Sequence, residues 1–257
     1  MRLDAPRAFD PDAVAGEVVG IALQTGQHDS GIHSHKRNQL LYAYSGCIRI
    51  DCQDTLCILP PNRAAWIPAG TKHRATMTRV VEYRSVYFTE QPELSDPQEL
   101  VILEVNPLLR ELIERMAQWP WQQSRARSQH TLALFFEELA DARQQSLSLR
   151  LPKDKRLQQW LTRLERQQLT LPPLNQAEQQ IGASAKTISR LFTKETGLSY
   201  QSWRQQWRLL RAIELLSMKM PISEVAFRLD FSSDSAFIHF FKQQLGCTPK
   251  QFSSVQP

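Results

Sequence analysis

The sequence predicts an α+β protein: a strand-rich N-terminal part forming a small barrel, then helices, then an all-helical C-terminal part. Three observations carry this. Apolar and polar residues alternate early in the chain, as Ile48, Ile50 and Cys52 do with Arg49, Asp51 and Gln53. From about residue 97 the apolar spacing becomes that of amphipathic helices. Charge divides along the same axis, with 16 Lys+Arg against 8 Asp+Glu in residues 150–257 but 15 against 18 before them.

The bulk properties narrow the class. A chain of 257 residues can bury a core in one large or two ordinary domains. No apolar run reaches the eighteen residues of a membrane span. Asp4, Asp10, Asp12 and Glu17 interrupt the basic-then-apolar order of a signal peptide. Four cysteines without such a leader suit a reducing compartment, so the expectation is a cytoplasmic protein with structural thiols at Cys47, Cys52 and Cys57. The basic C-terminal part is the half suited to a polyanion.

Strands are expected from about 18 to 90, including the run from Arg79 to Phe88, with turns at Pro60-Pro61-Asn62 and Pro68-Ala69-Gly70. Between about 97 and 145, Leu108, Leu109, Leu112, Ile113 and Met116 form one helical stripe. Leu132, Phe135, Phe136 and Leu139 form another, and Trp119-Pro120-Trp121 separates the two helices. Ser146 to Lys155 reads as a polar linker. The expected division is therefore 1–95, 96–150 and 151–257.

The last part holds a twofold repetition. In residues 174–193, Ala177 and Ile181 lie on a first helix, Gly182 permits a turn, and Ser184 caps a second helix packed through Ile188, Leu191 and Phe192. Lys186, Thr187, Ser189 and Arg190 then face outward, and Gly197 follows as a C-cap. In residues 222–243, Ile222, Val225, Ala226 and Leu229 repeat the first helix, Asp230-Phe231-Ser232 the turn, and Ser233 the cap. Phe237, Phe240 and Phe241 face inward there, Asp234, Ser235, Ala236, His239 and Lys242 outward, and Gly246 closes the helix. One helix from Ser199 to Lys219, with Trp203, Trp207, Leu210 and Ile213 on its apolar stripe, joins the two units. About twenty residues at ~1.5 Å each make a rod of roughly 30 Å. Successive major grooves on one face of B-DNA lie ~34 Å apart, so such a rod suits two helices in adjacent grooves.

On Thr187-Ile188-Ser189-Arg190-Leu191-Phe192, Glu195-Thr196-Gly197, Trp203-Arg204, Arg208-Leu209-Leu210-Arg211-Ala212, Ala236-Phe237, Phe241-Lys242, Gly246 and Thr248-Pro249, the chain resembles the AraC/XylS family of transcription regulators. The resemblance covers about residues 155 to 253. It implies double-stranded DNA as a partner, a homodimer formed through residues 96–150, contact with RNA polymerase, and regulation as activator or repressor without catalysis. It implies base contacts from Lys186, Ser189 and Arg190, and from Asp234, Ser235, Ala236 and His239. Arg190 suits a bidentate bond to guanine, whereas Thr193, Lys194 and Lys242 suit phosphate. Two positions depart from the family pattern: Glu178 stands at a usual alanine and Asp230 at the usual turn glycine.

His33-Ser34-His35 puts two imidazoles on one side of a strand, followed by Gln39 and Gly46, then Pro68-Ala69-Gly70-Thr71-Lys72-His73. This spacing resembles the two motifs of cupin barrels, over about residues 26 to 90, and implies a sensor domain in residues 1–95. The fourth metal ligand of such barrels is a glutamate, where this chain has Gln39. His33, His35, Gln39 and His73 could hold a divalent metal such as Zn²⁺, line an effector pocket with Tyr42 and Trp66, or be structural. Tyr44, Arg74 and Tyr83 are further candidates for the barrel interior. Asn38 to Tyr42 and Arg63 to Pro68 resemble a branch of enterobacterial regulators of efflux transporters, including one type linked to nitroimidazole resistance. The alternative is a metal-dependent cupin enzyme with an accessory DNA-binding tail.

Overall fold

The computed structural model describes residues 9–89, 99–165 and 171–254. They fall into two compact units, one running to Gln53 and from Cys57 to Ser148, the other from Leu149 onward together with Asp54–Leu56. The boundary expected at 95/96 lies outside the described residues.

The first unit is built on antiparallel strands. β1 (Val18–Thr25), β3 (Asn38–Ser45), β6 (Arg63–Ile67), β8 (Val81–Phe88), β9 (Val101–Glu104) and β10 (Gln144–Gln145) form one sheet, in the order β1-β8-β3-β6-β9-β10. β2 (His28–Asp29), β4 (Ile48–Cys52), β5 (Thr55–Leu59), β7 (His73–Met77) and β11 (Ser148–Arg150) form a second, ordered β11-β5-β4-β7-β2, of which Thr55, Leu56, Leu149 and Arg150 are counted with the other unit.

In the first sheet, even-numbered residues of the central strands share one face. Leu40, Tyr42, Ala64, Trp66, Val86 and Phe88 pack there against two helices, α1 (Pro107–Ala117) and α2 (Arg125–Ala140). The helices contribute Leu109, Leu112, Ile113, Met116, Phe135 and Leu139. Each such side chain, fully buried, contributes roughly 1.5–3 kcal/mol. Asn106 caps α1 by accepting the Leu109 N–H at 2.8 Å, and Pro107 follows at its first turn. Gly20 lets the end of α1 cross β1, since a Cβ there would lie 2.1 Å from the Met116 carbonyl oxygen.

Three expectations need correction. Val101–Glu104 is a strand within the stretch read as helical, because a short apolar run carries no period long enough to distinguish strand from helix. Ser146–Lys155 is no plain linker: it contains β11, with Leu147 and Leu149 buried. Leu108 is 45% exposed and lies off the buried stripe of α1.

The second unit is helical: α3 (Lys155–Glu165), α4 (Leu174–Ile181), α5 (Ala185–Thr196), α6 (Tyr200–Ser217), α7 (Ile222–Arg228), α8 (Asp234–Leu245) and α9 (Pro249–Ser254). Trp203 and Trp207 of α6 stack at 5.3 Å between ring centroids. Trp203 also meets Phe192 of α5 at 5.0 Å and Trp160 of α3 at 6.3 Å. Beyond α6, Phe237 and Phe241 of α8 pack with Phe231 and Phe252. The caps at Ser184 and Ser233 fall where the sequence placed them, whereas Ser199, read as the first residue of its helix, is itself a cap. Each of the three serines accepts the N–H of the third residue of its helix, and Gly182, Gly197 and Gly246 end helices in left-handed conformation.

Candidate nucleic-acid interface and a buried polar cluster

The helix pairs α4–α5 and α7–α8 sit before and after α6. In α5, Ile188 and Phe192 face the core while Lys186, Arg190, Thr193 and Lys194 are exposed; Thr187 and Ser189 are half-buried. In α8, Phe237 and Phe241 face inward and Asp234, Ser235, His239 and Lys242 are exposed, with Ala236 half-buried. All eleven candidate contact residues therefore keep accessible surface along two helices. Thr187 is partly committed to its own helix, since its hydroxyl shares a 3.0 Å hydrogen bond with Ser184 Oγ.

The turns preceding these helices are held by residues that the periodicity did not mark. Glu178 accepts the Ala185 N–H at the start of α5. Arg208 of α6 donates to the Leu229 and Asp230 carbonyl oxygens in the other turn. Asp230 is left-handed there, φ +56, a geometry that aspartate tolerates better than most side chains. Glu195, at the end of α5, accepts the N–H groups of Lys153 and Asp154 at 2.7 and 3.0 Å, tying α5 to the start of α3.

The histidines named from the sequence do come together. The rings of His33 and His73 lie 4.3 Å apart, His35 and His73 5.3 Å, and His33 and His35 6.2 Å. Backbone pairing sets this up: His33 and His73 exchange N–H···O bonds of 3.0 and 2.9 Å. Each Nδ1 donates to a carbonyl oxygen, His33 to Gly31 at 3.0 Å, His35 to Arg37 at 2.5 Å and His73 to Thr71 at 3.0 Å. Those bonds select the tautomer whose Nε2 carries a lone pair. Burial, with the neighbouring His33 and His35 adding to it, lowers the His73 pKa to about 4.

Gln39 completes the cluster. Its amide nitrogen donates to Ser85 Oγ at 2.8 Å and Tyr87 Oη at 3.2 Å, and its oxygen lies 3.0 Å from His35 Nε2. Turning the amide by half a revolution would place N–H on Nε2 and oxygen on the two hydroxyls. The carboxamide thus has one setting suited to a cation and one suited to neutral imidazole. Ser85 and Tyr87 were not singled out from the sequence; β3–β8 register, which sets Gln39 opposite Tyr87, is what brings them in.

Tyr42 and Trp66 are not part of this cluster. Residues 39 and 42 differ in parity along one strand, so Gln39 faces the imidazoles while Tyr42 and Trp66 face α1 and α2. Arg74 also lies elsewhere, half-exposed and paired with Asp29, which holds that carboxyl at about 2. Tyr44 lies under the Arg84 guanidinium, 5.2 Å from its ring centre.

The donor chemistry of three Nε2 atoms and an amide oxygen suits Zn²⁺. The spacing does not: among the described residues, no group of three or more His, Cys, Asp or Glu is placed to hold a metal ion.

Two polar-faced helices on a common helical scaffold, in the basic part of the chain, define a DNA-binding transcription regulator. A family model described as a helix-turn-helix domain matches residues 178–254. The HTH-type transcriptional regulator NimR of Escherichia coli (strain K12) is 30% identical over 247 residues, spanning 95% of this chain and 90% of that protein. The virulence regulon transcriptional activator VirF of Yersinia enterocolitica is 25% identical over 238 residues, spanning 88% and 83%. Among solved structures, ToxT from Vibrio cholerae is 9% identical, with a TM-score of 0.38 over 93% of this chain and 98% of that one. The chain belongs to the AraC/XylS family of transcription regulators. No helix among the described residues is long and apolar enough to cross a membrane.

Proposed function

We propose that α4–α5 and α7–α8 are two helix-turn-helix readers, with α5 and α8 entering successive major grooves of one operator. The observation that carries this is α6, an uninterrupted helix of 18 residues between the pairs. At ~1.5 Å per residue it spans roughly 27 Å, close to the ~34 Å groove repeat once the width of the flanking helices is added. Lys186, Ser189 and Arg190 read bases in the first groove, Asp234, Ser235, Ala236 and His239 in the second, and Thr193, Lys194 and Lys242 take phosphates. The first unit is a cupin-like sensor whose His33–His35–His73–Gln39 cluster receives a small polar effector. Effector binding shifts the balance between arrangements of differing promoter affinity. A homodimer, contact with RNA polymerase, a cytoplasmic setting and control of a neighbouring gene such as an efflux transporter complete the proposal.

The test is binding to the DNA upstream of the neighbouring gene at stated salt concentrations. Arg190→Ala should weaken the specific complex roughly tenfold or more and relax preference at one base pair. Unchanged affinity and preference would remove α5 as a reader. Metal analysis of the purified protein, repeated on a His33→Ala, His73→Ala double variant, separates an organic effector from a bound divalent ion. Stoichiometric metal lost in the variant, together with turnover of a substrate, would instead favour a metal-dependent enzyme.

A further inference from the structure

Glu178 grips the turn between α4 and α5 from both sides. Its main-chain oxygen accepts the Gly182 N–H at 2.8 Å, which closes α4 with Gly182 left-handed at φ +72. Its carboxylate accepts the N–H of Ala185, the first residue of α5. Ser184 Oγ accepts the N–H of Thr187, the third residue of α5, at 3.3 Å. The start of α5 therefore has two of its otherwise unpaired donors occupied by side chains, one of them by a charged group.

The second turn lacks this brace. Gly182 corresponds to Asp230, both left-handed at the end of a first helix, and the same offset sets Glu178 against Ala226, which is buried. No carboxylate of α7 is bonded to the start of α8, where Ser233 caps the Ala236 N–H at 3.1 Å. Arg208, from α6, holds that turn instead. One turn is thus clamped by an anion and the other by a cation.

The difference bears on DNA. Free N–H groups at the start of a helix, with the positive end of its dipole, attract phosphate without regard to sequence. In α5 the Ala185 N–H is already bonded to a carboxylate, whose charge repels a phosphate approaching that end. We propose that Glu178 is a positioning residue for base selectivity: it fixes α5 against α4 and keeps phosphate from the start of α5. Recognition at the first groove is thereby left to the side chains of Lys186, Ser189 and Arg190. The inference rests on α5 being a recognition helix.

The experiment uses the full chain and three DNAs: the operator, the operator with only its first half scrambled, and unrelated duplex, each titrated over a salt series. Glu178→Ala should cut the preference for intact over first-half-scrambled operator about tenfold. It should also raise affinity for unrelated duplex and steepen its salt slope by about one phosphate's worth, ~0.9. Glu178→Gln, which keeps the acceptor oxygen but not the charge, should retain the preference while still binding unrelated duplex more tightly. Arg190→Ala is measured alongside. If Arg190→Ala loses the preference but Glu178→Ala keeps it, the inference is overturned and α5 stands as a reader. If neither changes it, the reader assignment itself fails and takes the inference with it. Should Glu178→Ala not fold, Glu178→Gln decides, since unchanged affinity for unrelated duplex would refute the charge effect.

Discussion

The Arg208 guanidinium lies 3.7 Å from the centre of the Phe231 ring while donating to the carbonyl oxygens of Leu229 and Asp230. Burial, with Arg204 nearby, brings its pKa down to about 10, so it remains charged at neutral pH. One side chain of α6 thus caps the end of α7 and covers the aromatic residue that opens the way to α8. Arg208→Met keeps the stem but leaves two carbonyl oxygens without this donor and removes the cation–π contact. It should destabilise the helical unit by about 2–3 kcal/mol, read by thermal melting, and, with α8 as the proposed second reader, abolish protection of its groove before that of α5.

Glu195 accepts two main-chain N–H groups that precede α3. Glu195→Ala should cost about 1–3 kcal/mol, and Glu195→Gln less, because the amide oxygen can still accept. Hydrogen exchange at Lys153 and Asp154 checks this directly. Unchanged protection in Glu195→Ala would show that the contact does not order the start of α3.

Gln39 is the hub between imidazoles and hydroxyls. Gln39→Leu has similar volume but leaves Ser85, Tyr87 and His35 each short of a partner in a buried setting. A loss of about 1–3 kcal/mol in unfolding free energy is expected, with operator affinity in the absence of effector unchanged. Chemical denaturation and a mobility-shift titration together read both quantities.

Gly20→Ala places a methyl group 2.1 Å from the Met116 carbonyl oxygen and 2.7 Å from Ala117 Cα, both on the backbone. Since no flexible side chain can yield, α1 must lift from β1. The variant should lose several kcal/mol or accumulate insoluble, whereas Gly26→Ala, with open space around it, should behave as wild type.

The helical unit was legible because its signals are local. Ser184 and Ser233 as caps, Gly197 and Gly246 as stops, and the stripe of Trp203 and Trp207 each act within a turn or two of their own helix. The two sheets were legible only as a set of strands. Tyr42, Trp66 and Gln39 were grouped by chemistry, and period-two alternation separates Gln39 from Tyr42. The partnership of Gln39 with Ser85 and Tyr87 depends on strand register, which alternation alone does not set. Arg37 gave no sequence signal either, yet it is buried and donates to the Val14 and Gly16 carbonyl oxygens, fastening that segment to the residue before β3. Glu178 was visible as a departure from a pattern, but what it holds is apparent only once Ala185 is placed beside it.

In α6 distance and direction are a single quantity. Each residue added to a continuous helix advances its far end by about 1.5 Å and also turns it by about 100°. With α5 and α8 as the two proposed readers, a one-residue insertion would swing α7 and α8 a quarter-turn or more away from the DNA while barely changing their reach. A protein so built tolerates drift in operator bases far more readily than drift in operator length. Promoters under its control should therefore differ in letters but agree in the phase between their two half-sites.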